Sequence, residues 1–485
     1  MSSRDLQDHI LHGIESIAEI SRWNTQQRFA ALLALYDDTF NVKITVIKSD
    51  RVQGRAVFMV GACTLAEEEY NRQGELLMVS PEWPSISILD AHCSSTTGLR
   101  QTVSDLVACS KEDPGRFFSC GYDGLIKLWK VDEDQVHLLD TWKGHRDRVH
   151  SIARHVSDLI LASASQDGSV LLWPYQRGSR TSARPSPLFR ASPRQGIPDL
   201  VQWGESKQTE NLLFSLTSYS PAGEKGQVSI WDGIVMQRLA TLQPPAGGLS
   251  AMAAAPDGSL LALGGGTTSM ISDEICGDGV LRCYDLRSMP MLGSCVGSSK
   301  SSCAFKISTG HIDTDSIIFS PDSQLIISCQ GHAQGSELKV YDIRMDRRQL
   351  HVLVHEACTS KAQNSPKASC ISAVSASSTT IHPPIEVPGS VVASSWRPDG
   401  TLVTGGADAF LRFWDLTLAD PEQRGLQLQT DAPISAISLG PNLDDTILLA
   451  GTESGTLYIW SASRAIVSRM REKMGAPGEG NLLSC

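Results

Sequence analysis

Short apolar runs, each followed by a single aromatic residue, recur along this sequence. The recurring aromatics are Trp129, Trp173, Trp231, Tyr284, Tyr341, Trp414 and Trp460. The shortest intervals between them are 44 residues (Trp129 to Trp173) and 46 residues (Trp414 to Trp460). A period of about 40–45 residues is typical of repeated four-stranded antiparallel sheets, and the longer intervals are read as the same unit with loop insertions. The pattern therefore predicts an all-β chain with seven clear repeats.

A turn signal precedes the aromatic residue at a fixed distance. Glycine lies five residues before the aromatic in five repeats, at Gly124, Gly168, Gly226, Gly279 and Gly455, with Ser336 and Ala409 in the other two. Aspartate lies six residues before it in four repeats, at Asp123, Asp167, Asp278 and Asp408. A two-residue hairpin needs positive φ, which glycine accepts and aspartate tolerates. The spacing predicts a tight hairpin ahead of each aromatic strand.

Together these motifs resemble the WD40 family over about residues 100–465. Trp231-Asp232 and Trp414-Asp415 carry the family's dipeptide, and Tyr284-Asp285 and Tyr341-Asp342 are tyrosine variants of it. The resemblance implies a WD40-type β-propeller, in which the repeats close into one ring. It also implies a surface for binding partners rather than a catalytic pocket.

The resemblance further implies a buried hydrogen-bond network of a histidine, a strand hydroxyl, a turn aspartate and a tryptophan. Carried over to this chain, it falls on His145, Asp167 and Trp173, with Ser163 or Ser165 supplying the hydroxyl. His311 is a second candidate histidine, although Gly335 stands where its aspartate is expected. Buried polar groups must be paired, so these residues are interpreted as structural rather than catalytic.

The N-terminal segment, residues 1–91, allows two interpretations. Residues 5–35 read as an amphipathic helix, because Ile10, Ile14 and Ile17 follow a helical spacing. Alternatively, residues 16–48 read as a degenerate blade with Val42–Lys48 as its third strand, and this is favoured for residues 28–48. Further strand-like runs lie at 56–60, 76–79 and 85–89. The region therefore has enough strands for an eighth blade.

The propeller itself is assigned to residues 92–465, with residues 466–485 as a C-terminal tail and insertions at 177–198, 267–279 and 357–389. The first insertion has five arginines and no acid: Arg177, Arg180, Arg184, Arg190 and Arg194. Such a segment could bind an acidic partner or RNA phosphate, or be a loop regulated by phosphorylation of Ser182, Ser186 or Ser192. It could also be a solvated linker, and the linker is favoured. The other two insertions are expected to emerge on the same face of the ring.

Composition narrows the range of partners. The net charge is −11 and the pI about 5.6, which disfavours nucleic-acid binding except through residues 177–198. The twelve cysteines form no Cys-x-x-Cys pair, so no zinc or other metal site and no cofactor is predicted, and a reducing compartment is indicated. No signal-peptide pattern and no apolar run of the ~20 residues needed to cross a membrane are present, which predicts a cytoplasmic or nuclear protein.

Catalytic motifs are also absent, with no metalloprotease, Walker, dinucleotide-binding or nucleophile-elbow signature. The sequence therefore predicts a non-catalytic scaffold that binds other proteins in a multiprotein complex. One alternative is a substrate receptor of a cullin-RING ubiquitin ligase, because Tyr284-Asp285-Leu286-Arg287 and Tyr341-Asp342-Ile343-Arg344 resemble the box whose arginine contacts the ligase adaptor. Another is a structural subunit of a nuclear assembly, from the string Gly61–Glu69.

Overall fold

The structure is a computed structural model, and the part of the chain that it describes runs from residue 44 to residue 461. The gaps within that range are 54, 65–74, 81–84, 110–112, 133–134, 158, 176–184, 191–195, 218–225, 243–248, 266–278, 289–302, 312–313, 333–334, 345–346, 357–392, 398–399, 420, 422–426, 431, 441–446, 454 and 456.

The described residues form eight antiparallel sheets, here called blades 1 to 8, and in each the strands follow one another in chain order. Blades 1 to 4 consist of β1 (Ile44–Val52), β2 (Arg55–Ala62), β3 (Leu76–Ser80) and β4 (Ser85–Leu89); β5 (Val103–Ala108), β6 (Arg116–Gly121), β7 (Leu125–Asp132) and β8 (Gln135–Lys143); β9 (Val149–Arg154), β10 (Ile160–Ser165), β11 (Ser169–Pro174) and β12 (Ser186–Arg190); and β13 (Pro198–Trp203), β14 (Leu212–Thr217), β15 (Gln227–Asp232) and β16 (Gln237–Leu242).

Blades 5 to 8 consist of β17 (Ala251–Ala254), β18 (Leu260–Gly264), β19 (Val280–Asp285) and β20 (Phe305–Ser308); β21 (Ser316–Phe319), β22 (Leu325–His332), β23 (Gly335–Asp342) and β24 (Arg348–Glu356); β25 (Ala393–Trp396), β26 (Leu402–Gly405), β27 (Phe410–Trp414) and β28 (Gln427–Gln429); and β29 (Ile434–Leu439), β30 (Ile447–Thr452) and β31 (Leu457–Ser461). A short 3₁₀ helix, Leu286–Ser288, follows β19.

The blades close into a ring because the first strand of blade 1 contacts blades on both sides. Strand β1 packs against β5 of blade 2 and against β29 of blade 8. The apolar side chains form eight clusters, and each cluster combines residues of two neighbouring blades. The core is therefore divided among the interfaces between blades, and the all-β propeller expected from the sequence is present with eight blades.

The recurring aromatics lie on the third strands of blades 2 to 8, and all seven side chains are at most 6% exposed. Four of the predicted turn glycines, at 124, 168, 279 and 455, have φ between +62° and +83°, and Ala409 occupies the same turn at +62°. Blade 1 lacks this signature, because its third strand, Leu76–Ser80, contains no aromatic residue. The repeat pattern therefore shows seven blades where the structure has eight.

The strand assignment proposed for the N-terminal region is wrong in register. Val42–Lys48 was expected to be a third strand, but Ile44–Val52 is the first strand of blade 1 and pairs with Arg55–Ala62. The three strand-like runs that follow it are β2, β3 and β4. The segment was assigned two strands too far along the blade, because no aromatic residue marks the third strand of this blade. Residues 1–43, with the alternative helix, and the 466–485 tail lie outside the described residues.

The arginine-rich segment 177–198 is partly a blade strand rather than a linker. Residues Ser186–Arg190 form β12, which pairs with β11 and completes blade 3. The segments 267–279 and 357–389 fall in the connection from β18 to β19 and in the connection from β24 to β25. Antiparallel strands alternate in direction, so every second connection lies on the same face of the ring. The connections from second to third strands and the connections between blades therefore share one face, here called the upper face. The lower face carries the connections from first to second and from third to fourth strands.

The seam between the last and first blades offers a test of ring closure. A Cβ atom placed on Gly451 of β30 would lie 2.5 Å from Cγ2 of Ile44 on β1. We expect Gly451→Ala to lower the free energy of unfolding by about 1–3 kcal/mol, because overpacking forces these backbones apart. Urea unfolding followed by tryptophan fluorescence measures the change.

Ile44→Ala provides the matched control for this seam, because it removes two of the three crowding atoms. The double variant should be less destabilised than the sum of the two single variants. An unfolding midpoint for Gly451→Ala equal to that of the unmodified protein would contradict the described contact between blades 8 and 1.

Candidate interaction surface

A buried relay of polar side chains ties together the second and third strands of blade 3. The indole Nε1 of Trp173 donates to Oγ of Ser163 at 2.8 Å, and Ser163 lies 2.6 Å from Nε2 of His145. Nδ1 of His145 lies 3.2 Å from Oδ2 of Asp167. A carboxylate only accepts, so Nδ1 carries the imidazole proton. Ser163 therefore supplies the strand hydroxyl, whereas Ser165 bonds to Asp147 in the adjoining turn.

The same relay occurs in blades 2 and 7, where the sequence analysis did not find it. Its members are Trp129, Ser119, His92 and Asp123 in blade 2, and Trp414, Thr404, His355 and Asp408 in blade 7. The histidines were missed because His92 follows alanine rather than glycine, and His355 lies 53 residues before Asp408. A usable signal is the hydroxyl residue, which lies 10 residues before each tryptophan.

Blade 6 has a modified version of this arrangement around His311. Nδ1 of His311 is 2.9 Å from Oγ of Ser328, and Nε2 is 3.4 Å from a carboxylate oxygen of Glu337. Glu337 reaches the ring from the third strand and takes the place of the missing turn aspartate. His311 is therefore held by a carboxylate although Gly335 occupies the expected position.

The electrostatics of these groups favour a structural role. Burial lowers the pKa of His355 and outweighs the opposing effect of Asp408. Burial alone would raise the pKa of Asp408, but its hydrogen bonds with His355 and Arg412 lower the pKa overall. These imidazoles and carboxylates contact one another inside the blades, so they do not form a site that is open to substrate.

Within the described part of the chain, one group of side chains has the separation needed for a metal ion: Glu75, Asp90 and Cys93. Arg100 forms ion pairs with both carboxylates of this group. Glu75 also accepts hydrogen bonds from the backbone N–H groups of Ala91 and His92, at 2.9 and 3.3 Å. The single guanidinium offsets one of the two carboxylate charges, and Glu75 is held further by two backbone N–H groups, so the group fits a structural ion-pair cluster better than a metal site.

Among the described residues, a turn on the lower face of blade 4 carries three consecutive exposed aliphatic side chains. Ile234, Val235 and Met236 connect β15 to β16, and their exposed fractions are 52%, 56% and 39%. Three consecutive exposed aliphatic residues are uncommon at a turn, where polar residues usually face water. The turn therefore presents an apolar tip to solvent.

Specific contacts hold this tip in place. Oδ1 of Asp232 accepts hydrogen bonds from the backbone N–H groups of Ile234 and Val235, at 3.0 and 2.9 Å. Gly233 lies against the indole of Trp203, where a Cβ atom would approach within 2.3 Å. Met236 adopts φ +59°, a left-handed conformation that is unfavourable for a side chain of this kind. The exposed side chains therefore project from a defined backbone.

A second apolar turn flanks the same indole from blade 3. His155 packs edge-on against Trp203 with ring centroids 4.7 Å apart, and its neighbours Val156 and Leu159 are 48% and 47% exposed. Both turns are on the lower face. Val156, Leu159, Ile234, Val235 and Met236 are called the lower-face patch here. Exposed aliphatic residues gathered in this way are typical of a protein interaction site.

The two arginines predicted to contact a ligase adaptor also lie on the lower face, in blades 5 and 6. Arg287 and Arg344 have side-chain exposures of 62% and 58%. Each guanidinium forms a two-point ion pair with the aspartate of its own motif, Asp285 or Asp342. The structure thus brings these two arginines onto one face of neighbouring blades.

The other predicted binding arginines are not brought together in the described residues. Arg180 and Arg184 lie outside them. Arg190 is the last residue of β12, opposite Ser169 in the register of blade 3. Sequence reasoning did not find the lower-face patch, because Gly233-Ile234-Val235-Met236 reads as part of a strand rather than as an exposed turn.

Comparison with known proteins bears on this architecture. The model of the WD domain, G-beta repeat, matches residues 137–174 and 383–415, which include parts of blades 2, 3 and 7. A solved Dos1 propeller superposes with a TM-score of 0.63 at 15% identity, covering 88% of this chain and 97% of that one. The matched repeats and the propeller neighbours together support a WD40-repeat β-propeller. A solved structure of Chaetomium thermophilum Sqt1, bound to the N-terminus of ribosomal protein L10, superposes with a TM-score of 0.61 at 12% identity, covering 88% of this chain and 98% of that one.

The WD40 chain also resembles curated relatives over limited segments. It is 35% identical over 101 residues to the protein transport protein SEC13 of Candida albicans, which is 19% of this chain and 34% of that protein. The match to SEC13 of Cryptococcus neoformans is 34% over 124 residues, or 24% of this chain and 36% of that protein. The chain thus spans about a third of the length of these relatives. Among the described residues, no helix is long and apolar enough to cross a membrane.

The blade 3 relay leads to a prediction about stability and pH. Burial favours the neutral form of Asp167, but hydrogen bonds from His145, Ser169 and the Arg146 backbone together hold its pKa well below the ordinary 3.8. The ionised carboxylate therefore stabilises the folded state above the unfolded-state pKa, and this contribution is lost as the pH falls below about 4. We expect Asp167→Asn to cost about 1–3 kcal/mol at neutral pH, measured by urea unfolding.

The difference in free energy of unfolding between Asp167→Asn and the unmodified protein should become smaller as the pH falls from about 4 to about 2. Asp147→Asn, at an exposed aspartate of the same region, is the matched control and should change stability little. A stability difference that does not change with pH would show that the ionised state of Asp167 is not what the relay stabilises.

Proposed function

We propose that this WD40 propeller is a non-catalytic scaffold that holds other proteins in a multiprotein complex through its lower face. The observation that carries the proposal is the lower-face patch, in which five exposed aliphatic residues lie in two turns beside Trp203. Exposing them to water is unfavourable, and covering them with a partner offsets that cost.

Two further considerations support this function. WD40 propellers generally mediate protein interactions, and the Sqt1 structure contains a bound segment of ribosomal protein L10. In this chain the histidine relays of blades 2, 3 and 7 are closed within the fold, which favours recognition over catalysis. The expected setting is the cytoplasm or the nucleus, with other proteins as partners and no cofactor.

The test removes the apolar tip without weakening the fold. A variant combining Ile234→Ser, Val235→Ser and Met236→Gly removes the three exposed side chains, and glycine accepts the positive φ at 236. Affinity purification with quantitative mass spectrometry should show at least a tenfold loss of the partners that copurify with the unmodified protein. The thermal unfolding midpoint should stay within about 2 °C.

Leu138→Ser is the matched control, because Leu138 is 46% exposed but lies on the outer strand of blade 2. It should retain every partner. If the tip variant also retains every partner at full yield, the lower-face patch is not the binding surface.

A second candidate function is a substrate receptor of a cullin-RING ubiquitin ligase. It is favoured by the position of Arg287 and Arg344, which are exposed on one face of neighbouring blades. In each motif the two-point ion pair with the aspartate fixes the plane of the guanidinium. The edge of the guanidinium that is not paired with the aspartate therefore faces solvent in a fixed orientation. Such a pair would suit recognition of acidic or carbonyl groups on an adaptor.

The double variant Arg287→Ala and Arg344→Ala should lose copurification with a cullin-ligase adaptor if this candidate is correct. Deletion of residues 1–20 should have the same effect, because receptors with this box often contact the adaptor through an N-terminal helix and residues 3–20 could supply one. Arg238→Ala is the matched control, since Arg238 is exposed on β16 and stacks on Trp231, outside both motifs. Recovery of the adaptor at unchanged yield with the double variant would eliminate the receptor function and leave the scaffold function standing.

A further inference from the structure

The outermost strand of blade 6, β24, differs from the outer strands beside it. It spans nine residues, Arg348–Glu356, whereas β20 and β28 in the flanking blades span four and three. Leu350, Val352 and Val354 on this strand are 42%, 40% and 39% exposed. They alternate along the strand, so they form one apolar row on a single face of it.

The opposite face of β24 is fixed by its packing on blade 7. Leu353 is fully buried, Nε2 of His351 bonds to the carbonyl oxygen of Leu416 at 3.1 Å, and His355 belongs to the blade 7 relay. The direction of the strand is therefore determined by its buried residues. The apolar row therefore lies on the other face, at alternate positions of a strand whose backbone is paired along its whole length.

The free edge of β24 lacks the usual protection against pairing. Its inner edge pairs with β23 over the whole length, from Arg348 opposite Asp342 to Glu356 opposite Gly335. In the part of the chain that the structure describes, no other strand pairs with β24. Soluble proteins usually interrupt such an edge with lysine, proline or an inward charge, and residues 349–355 contain no proline, lysine, arginine or acid.

We propose that β24 pairs with β24 of a second copy of this chain, antiparallel and centred on Val352. In this register Val352 lies opposite itself, and Leu350 lies opposite Val354 on both sides of the two-fold axis. The first residue of the strand, Arg348, lies opposite the last, Glu356, so opposite formal charges occur at both ends. The apolar rows of the two strands then lie on the same face of one continuous sheet.

The self-complementary order of the strand selects a second copy over an unrelated partner. A slip of one residue would set the exposed row of one strand opposite residues that point to blade 7, which destroys the match. Binding to a protein of different sequence would give no reason for the two halves of β24 to complement each other about Val352. This inference does not depend on the proposed function, because β24 lies away from the lower-face patch.

Symmetric cross-linking tests the register directly. Directly opposed residues of antiparallel strands have Cα atoms about 4.5–5.5 Å apart, within the range that a disulfide spans. Val352→Cys should therefore yield a covalent dimer under mild oxidation, seen on a non-reducing gel. Leu350→Cys alone should cross-link at least tenfold less, because its opposite position is Val354. Combining Leu350→Cys with Val354→Cys should restore the cross-link.

Two controls account for chance cross-linking. The unmodified protein reports the native cysteines, and Leu138→Cys reports collision at a comparably exposed position on the outer strand of blade 2. Equal cross-linking by Val352→Cys, Leu350→Cys and Leu138→Cys would overturn the proposed register. Cross-linking of Val352→Cys to a different protein in an extract would overturn the choice of a second copy.

Assembly in solution gives an independent readout. Val352→Lys sets two like charges opposite each other on the two-fold axis, and light scattering should show the mass halved relative to the unmodified protein. Far-ultraviolet circular dichroism should be unchanged, because the side chain is exposed. A monomeric mass for the unmodified protein at tens of micromolar would overturn the proposal, as would a dimer that survives Val352→Lys.

Discussion

Face-to-face packing between neighbouring blades is the constraint on which the rest of this structure depends. Each apolar cluster combines residues of two adjacent sheets, so a single blade has no complete core of its own. The ring therefore needs its last contact, where Gly451 of blade 8 meets Ile44 of blade 1. A residue without a side chain is required there because the two strands approach too closely for a Cβ atom. Closure of the ring therefore determines the positions of all eight blades relative to one another.

The polar relays serve the same packing. They join the second and third strands of blades 2, 3 and 7 and also reach the chain that enters the blade, through His92, His145 and His355. In each relay both ring nitrogens of the histidine have a partner, one at the strand hydroxyl and one at the turn aspartate. What remains for recognition lies in the connections and outer strands, which the packing between blades does not constrain.

The exposed aliphatic residues described above lie in two kinds of element, the connections on the lower face and the outer strand β24. On the lower face they are held by turn contacts, through Asp232 and the indole of Trp203. On β24 they are held by the buried face of the same strand, through Leu353 and His355. In both places a rigid element displays apolar side chains to water, which is the condition for binding without a large loss of conformational entropy.

The sequence alone determined the repeated four-stranded unit, because the aromatic residue, the turn glycine and the dipeptide are local signals within one hairpin. It also placed His145, Asp167 and Trp173 in one blade, since a single repeat contains all three. Tertiary structure decided the eighth blade, whose Leu76–Ser80 strand lacks the aromatic signal, and the pairing of His355 with Asp408 across 53 residues. It also decided which aliphatic residues stay exposed: Ile234 and Val352 resemble core residues in sequence, and only the arrangement of neighbouring blades leaves them uncovered.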